Sequence, residues 1–167
     1  METETKLKHI STDVLVIGSG GAGLRAAIES RRKGAKVLLI SKSKTGLASC
    51  TASAMGAFRV SQEEKDITEH FQETLEAGRF LNNPDLVKIL VTNAWPAVKE
   101  LERFGMELLI ERGRASVIAD RPPAGVILSK ALSNYALNSG VNVLEKTIAF
   151  ELPVEGNRCL GALVFKK

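Results

Sequence analysis

Several residue types that mark specialised proteins are scarce in this sequence. Its 167 residues include two cysteines, Cys50 and Cys159, two histidines and one tryptophan. The two distant cysteines match neither the spacing of a metal site nor that of a redox pair, so we expect reduced thiols and no bound metal. This scarcity argues against a disulfide framework and against a metal centre.

Long apolar runs and an excess of one charge are also lacking. No apolar run approaches the ~18 residues that span a membrane, and the acidic start of the chain is unlike a secretory signal. The net charge of +4 is spread over both signs and is too mild for a nucleic-acid-binding protein. With 44% hydrophobic and 25% charged residues, the composition is that of a globular domain. We expect a cytoplasmic protein without nucleic-acid binding or direct membrane insertion, which reaches a membrane only through partner subunits.

The most informative segment is an apolar run at 14–17 followed by Gly18, Gly20 and Gly23. The run is typical of a strand buried on both faces of a parallel sheet, and a helix is predicted from about Ala22 to Lys33. In a dinucleotide-binding turn, the first glycine permits the turn, the second lets the backbone approach a pyrophosphate, and the third lets the helix pack on the strand. Free N–H groups at the helix start would face the phosphates. The alternative is a glycine-rich turn without a ligand.

The next predicted strand, 36–40, ends at Ser41 and Lys42. Many dinucleotide sites have an acidic residue there that binds the ribose hydroxyls, so Ser41 and Lys42 weaken a plain NAD interpretation. The following stretch, 45–57, is small and hydroxyl-rich, which suits a backbone lying against a flat ligand. A Ser/Thr/Gly loop without function is the alternative.

The rest of the sequence predicts three helices and a hairpin. Ser61 and Glu64 form a capping box for a helix over 61–78, and Pro84 is the first residue of a helix that runs to Gly105. Residues 111–124 predict a loop, and 123–139 a helix. A strand over 141–152 and an apolar run over 159–165, separated by Gly156 and Asn157, predict a C-terminal hairpin.

Together these segments resemble one family, the flavoprotein subunits of fumarate reductase and succinate dehydrogenase, with aspartate oxidase as a close relative. The resemblance is carried, in the family's order, by 13–27, 39–42, 49–56, 75–87, 101–105 and 119–121. It implies an α/β, Rossmann-like FAD-binding fold with a parallel sheet, inserted helices and a C-terminal β-hairpin. Residues 1–12 would be a tail, 13–167 the N-terminal portion of the FAD-binding domain, and 61–105 its helical insertion.

The resemblance also implies which residues bind FAD. The glycine turn would hold the pyrophosphate, Ser41 and Lys42 the adenosine ribose region, the hydroxyl-rich stretch the ribityl chain and flavin, and the strand at Ala149 the adenine. The implied cofactor-binding residues are Gly18, Ser19, Gly20, Gly21, Ala22, Gly23, Ser41, Lys42, Ser49, Cys50, Thr51, Ala54, Gly56 and Ala149.

Two departures from the family change the expected chemistry. Some members hold the flavin covalently through a His at the position of Cys50, so we expect non-covalent FAD, with a reactive Cys50 thiolate as the alternative. The family's dicarboxylate site and a later strand of the sheet have no counterpart before Lys167, so no catalytic residue is assigned and the chain is incomplete relative to the family. We therefore expect the strand at 14–17 to have an open edge.

The expected function is that of the FAD-binding portion of a dicarboxylate oxidoreductase, inactive alone. Its expected partners are the missing C-terminal part of the flavoprotein and an iron–sulfur subunit. A non-catalytic nucleotide-binding module and an NAD(P)-dependent oxidoreductase are the alternatives.

Overall fold

The computed structural model of the chain describes residues 8–121 and 123–167, apart from the side chains of Glu64 and Lys65. The first seven residues of the predicted tail lie outside the described residues. The helices in this part of the chain are α1 (Gly21–Arg32), α2 (Cys50–Ser53), α3 (Glu64–Ala77), α4 (Pro84–Arg103) and α5 (Gly125–Asn138). The strands are β1 (Val14–Ile17), β2 (Val37–Ile40), β3 (Ala57–Arg59), β4 (Leu108–Glu111), β5 (Arg114–Val117), β6 (Asn142–Leu144), β7 (Thr147–Glu151), β8 (Val154–Glu155), β9 (Arg158–Cys159) and β10 (Leu163–Lys166).

A three-stranded parallel sheet with the order β1-β2-β6 organises the fold. All four residues of β2 are buried, as the continuous apolar run requires of a central parallel strand. Within the described residues β1 pairs only with β2, and Ile17 at its end is half exposed. The predicted parallel sheet and the open edge of its first strand are therefore present.

The core lies between this sheet and the helices α1 and α5. Leu24 and Ile28 of α1 and Leu39 of β2 are fully buried, and Leu128 and Leu132 of α5 belong to the same buried cluster. Burying one such side chain stabilises a fold by about 1.5–3 kcal/mol, so this cluster fixes α1 against the sheet. Since α1 begins at the glycine turn, the same packing sets the position of that turn.

A second, antiparallel sheet has the order β3-β5-β4. The prediction of a loop over 111–124 was wrong for its first part, because Glu111 pairs with Arg114 across a two-residue turn. Arg112 and Gly113 in this turn both have positive φ, 47° and 74°, which matches the twist of a hairpin. The charged side chains that suggested a loop lie on the exposed side of a short strand pair.

The inserted helices α3 and α4 differ in how well the sequence predicted their starts. Asn83 accepts hydrogen bonds from the amides of Asp85 and Leu86, and Pro84 is the first helical residue, as predicted. The helix α3 is present and ends before Gly78 as predicted, but its predicted start was wrong, because it begins three residues after Ser61, whose hydroxyl donates to the carbonyl of Asp66 instead. The Glu64 side chain of the predicted capping box lies outside the described part of the structure.

The C-terminal strands form the predicted hairpin with one correction. The segment 141–152 is not one strand, because the chain turns at Glu145 and Lys146, where Lys146 has a φ of 52°. Consequently β6 joins the parallel sheet, while β7 pairs with β10 in antiparallel register. Gly156 and Asn157 turn the chain between the short strands β8 and β9.

Candidate functional site

The turn between β1 and α1 requires its glycines for different reasons. Gly18 has a φ of +107°, a conformation that L side chains rarely adopt. A Cβ on Gly23 would lie 2.0 Å from the Gly18 carbonyl oxygen, so only glycine allows this contact between helix and strand. Gly20 has an ordinary extended backbone, and a Cβ there would meet Ser49 Cβ at a normal 3.5 Å. Neither strain nor crowding within the chain explains a glycine at position 20.

The N-terminus of α1 presents free donors. Gly20 precedes the helix without a side-chain cap, and the first turn contains no acidic residue. Among the described residues, the amides of Ala22 and Gly23 have no hydrogen-bond partner. Unpaired amides and the positive end of a helix dipole favour an anion such as a diphosphate.

The hydroxyl-rich stretch packs directly beside this turn. Thr51 Oγ1 accepts a hydrogen bond of 3.0 Å from the Gly21 amide, and a Cβ on Gly21 would lie 2.9 Å from the same oxygen. Thr51 lies in the one-turn helix α2, which the sequence did not indicate, and Ser49 caps α2 by accepting from the Ala52 amide. The Thr51 hydroxyl therefore borders the place where the diphosphate is expected.

Ser19 and Ser41 form a buried support beneath the turn. Their hydroxyl oxygens are 2.7 Å apart, and the Gly46 amide donates to Ser19 Oγ over 3.1 Å. Ser41 is buried, and its carbonyl accepts a hydrogen bond from Thr147. The structure thus places Ser41 inside the protein and leaves the neighbouring Lys42 exposed, so Lys42 is the member of this pair that faces outward.

The remaining predicted contacts lie on two sides of this support. Cys50, exposed and without a disulfide, begins α2 next to Thr51. Ala54 accepts a hydrogen bond from the Gly125 amide, and Gly56, at a φ of +76°, packs against Ala124. Ala149 lies half-buried in β7, two residues after the hydrogen bond that joins Thr147 to Ser41. Hydrogen bonds therefore join Thr51 to the glycine turn and Thr147 to Ser41 after β2, whereas Ala54 and Gly56 lie against the start of α5.

Two residues of this region were missed by the sequence analysis. Glu145 Oε1 accepts hydrogen bonds from the Thr45 amide (2.8 Å) and the Thr45 hydroxyl (2.7 Å). These bonds hold the pKa of Glu145 below its ordinary value. Burial opposes them by raising the pKa, and the positive charges of Lys44 and Lys146 lower it further. Gly125 is the second, because a Cβ there would lie 2.0 Å from the Thr51 carbonyl oxygen. The sequence feature that could have identified Gly125 is its place next to the predicted start of a helix. For Glu145, it is the position directly after a parallel strand.

The arrangement fits FAD. A backbone without a Cβ at Gly20, free amides at Ala22 and Gly23, and a neutral hydroxyl at Thr51 are the features that a bound diphosphate needs. Apart from the exposed Met55, the side chains along 49–57 are small, which suits the approach of a flat group.

Comparison with known proteins identifies the class. A family model described as an FAD binding domain matches residues 13–167. An uncharacterised FAD-dependent oxidoreductase of Methanocaldococcus jannaschii is 36% identical, over 92% of this chain and 31% of the relative. One chain of the fumarate reductase (CoM/CoB) of Methanothermobacter marburgensis is 31% identical, over 90% of this chain and 30% of its own length. A chain of the Mycobacterium smegmatis Sdh1 complex in the apo form has a TM-score of 0.82 and 28% identity, covering 96% of this chain and 32% of its own length.

These findings confirm the fold and the cofactor. The chain belongs to the FAD-binding domain family of the fumarate reductase and succinate dehydrogenase flavoproteins, which includes L-aspartate oxidases. FAD is accordingly the cofactor of this domain, which favours it over the NAD(P) alternative. The chain spans about a third of the length of the relatives that it matches. Among residues 8–121 and 123–167, no helix has the length and hydropathy of a membrane span.

Proposed function

We propose that this chain binds FAD non-covalently, with the diphosphate on the amides at the start of α1. The observation that carries the proposal is the turn at Gly20, where an ordinary backbone with normal room for a Cβ coincides with free amides at Ala22 and Gly23. Thr51 would border the diphosphate, and Lys42 would face the adenosine ribose region. The other predicted contacts, at Ser49, Cys50, Ala54, Gly56 and Ala149, remain part of the proposal.

The domain assignment is part of the same proposal. Residues 13–167 form the FAD-binding portion, 1–12 a tail and 61–105 a helical insertion. The insertion contains α3 and α4 and lies in the chain between β3 and β4.

When bound, FAD supplies the capacity to accept and donate hydride, while the protein binds and orients it. We propose that the whole protein is an oxidoreductase acting on a dicarboxylate. Support comes from a relative named as part of a fumarate reductase and from a second named as the flavoprotein subunit of 8-methylmenaquinol:fumarate reductase of Wolinella succinogenes. Its partners would be the C-terminal portion of such a flavoprotein and an iron–sulfur subunit, in the cytoplasm or at a membrane through those partners.

A titration with FAD and, separately, with NAD tests the cofactor assignment. A ligand that binds only the native state raises its stability by about 2.7 kcal/mol at a hundredfold excess over Kd. We expect a rise in the unfolding temperature and a flavin absorption spectrum with FAD, and neither with NAD. Denaturation should release the flavin from the protein, because Cys50 occupies the position of the histidine that forms the covalent bond in some family members. A shift with NAD alone would contradict the proposal.

The variant Gly20→Ala tests the placement of the diphosphate. Its Cβ has room in the folded chain, so the unfolding free energy without FAD should change by less than about 1 kcal/mol. The same Cβ would stand between the backbone and the diphosphate, so FAD affinity should fall at least about tenfold. Unchanged affinity in a folded Gly20→Ala protein would remove the diphosphate from this turn.

The activity of the chain without its partners is tested by mixing the FAD-loaded chain with fumarate and a reduced viologen dye. We expect no dye oxidation above that of free FAD, because no dicarboxylate site is assigned within these residues. Fumarate-dependent oxidation by the chain would show that the substrate site is present here.

A further inference from the structure

A cluster of charged and aromatic side chains connects α1 with the inserted helix α4. Glu100 of α4 forms ion pairs with Arg25, over 2.7 Å, and with Arg32, both on α1. Only 17% of the Glu100 side chain is exposed. One carboxylate of the insertion therefore holds two guanidinium groups of the helix that begins at the glycine turn.

The charges in this cluster favour an ionised Glu100. Burial alone would raise the pKa of Glu100, but the hydrogen bond from Arg32 and the positive charge of Arg25 outweigh it and hold the pKa below its ordinary value. Arg25 and Arg32 also pair with Glu29, at 3.1 and 2.9 Å, but Glu29 lies on α1 itself. In the described part of the chain, Glu100 is the only carboxylate that connects these arginines to a different helix.

Aromatic rings fix the other side of the guanidinium groups. Arg25 and Arg32 lie 5.6 and 5.5 Å from the centroid of the Phe104 ring, within cation–π distance. Arg32 also donates a 3.1 Å hydrogen bond to the Tyr135 hydroxyl of α5. Within the described residues the buried Arg25 Nη1 has no hydrogen-bond partner, so losing Glu100 would leave Arg25 with Glu29 as its carboxylate partner.

The cluster lies close to the turn along the chain. Arg25 follows Gly23 by two residues, which is about 3 Å along a helix axis. Glu100 is therefore placed to set the orientation of the first turn of α1, where the amides of Ala22 and Gly23 are free.

We propose that Glu100 is a positioning residue for FAD binding, which aims the first-turn amides of α1 by holding Arg25 and Arg32. This inference rests on the proposed placement of the FAD diphosphate. It gives the helical insertion a role in cofactor affinity, although neither of its helices contributes a predicted FAD contact.

The test compares three substitutions that each remove one carboxylate charge. Glu100→Gln removes the connection between helices, Glu29→Gln removes the pairing within α1, and Glu102→Gln removes a neighbouring α4 carboxylate that pairs with Lys99. We expect Glu100→Gln to weaken FAD binding about tenfold, as loss of a charge-assisted contact predicts. The two controls should stay within about twofold of the parent protein. Equal affinities in Glu100→Gln and Glu102→Gln would overturn the proposal.

Amide hydrogen exchange without FAD provides a second readout. Exchange at Leu24, whose amide donates to the Gly20 carbonyl, should be several times faster in Glu100→Gln than in Glu102→Gln, with β2 and α5 unchanged. A uniform increase over the whole fold would indicate a purely structural role and would overturn the positioning role. If the parent protein does not bind FAD, the proposed function fails, whereas these exchange rates still decide whether Glu100 orders α1.

Glu100→Asp provides a variant that keeps the charge if Glu100→Gln does not fold. Its carboxylate is one methylene shorter and reaches the two arginines less well. FAD binding should weaken about threefold, between the parent and Glu100→Gln. An unchanged affinity would contradict the proposed dependence on geometry.

Discussion

The parallel sheet with α1 and the antiparallel sheet with the insertion are stabilised by different contacts. In the first region, β2 is buried along its whole length, and Gly23 packs its backbone against that of Gly18. In the second region, a smaller apolar cluster around Val60 is joined by polar side chains, among them buried His70 and the ion pair of Arg59 and Glu73. In the first region, the contact between the glycine turn and β1 depends on close backbone packing and should be sensitive to added volume. The second depends on titratable partners and should be sensitive to pH.

Gly23→Ala should give the largest effect and lies in the first region. Its Cβ would lie 2.0 Å from the Gly18 carbonyl oxygen, and neither backbone can move without separating α1 from β1. We expect the unfolding free energy, measured by chemical denaturation, to fall by about 3 kcal/mol or more. Gly20→Ala in the same turn is the control, because its Cβ has normal room. Equal stability of the two variants would show that backbone packing does not dominate this region.

The same contrast explains which elements could be predicted from the sequence. The apolar run at 14–17, the glycines after it and the start of α4 at Asn83 and Pro84 depend on local rules, and the structure has them where they were expected. The β4–β5 hairpin was missed because Glu111, Arg112 and Arg114 resemble a solvated loop, and only pairing with a distant strand shows otherwise. Tertiary contacts decided these elements.

The candidate site also contains features that the sequence predicted and features that depend on tertiary contacts. Residue types and spacing predicted the glycine turn and the hydroxyl-rich stretch, and the resemblance of several segments to one family predicted FAD. The hydrogen bonds of Glu145 to Thr45 and the ion pairs of Glu100 to α1 join residues far apart in the chain. No periodicity or motif reports such contacts, because they depend on how the insertion and the last parallel strand pack.

His70 should give an intermediate effect and lies in the second region. Burial and the positive charge of Arg59 lower its pKa, against the opposing effect of Glu73. His70 therefore binds a proton less readily in the folded protein than in the unfolded chain. Its contribution to the unfolding free energy is present above the ordinary histidine pKa of 6.5 and is lost as the pH falls below that value. Chemical denaturation at about pH 8 and about pH 5.5, on either side of the ordinary histidine pKa of about 6.5, should show this loss.

The variant His70→Gln separates charge from packing. At pH 8 we expect it to cost about 1–2 kcal/mol, because the contact of the ring with Ser61 is lost. Below pH 6.5 it should flatten the decline in stability. The control is His9→Gln, which changes the other histidine of the sequence at an exposed position. A parental slope in His70→Gln would show that other groups cause the pH dependence.

Glu145 should give the smallest effect and tests whether charge or hydrogen-bond geometry matters at the hydroxyl-rich stretch of the first region. Its pKa is lowered by the two donors of Thr45, so its contribution is present above the ordinary value and is lost as the pH falls through the lowered one. Glu145→Gln keeps an oxygen that accepts both hydrogen bonds, whereas Glu145→Ala removes it. We expect FAD affinity to fall about twofold to fivefold in Glu145→Ala and to be nearly unchanged in Glu145→Gln. A large loss of FAD affinity in Glu145→Gln would mean that charge, and not hydrogen-bond geometry, orders the hydroxyl-rich stretch. Titratable groups would then matter at the cofactor site as they do in the second region.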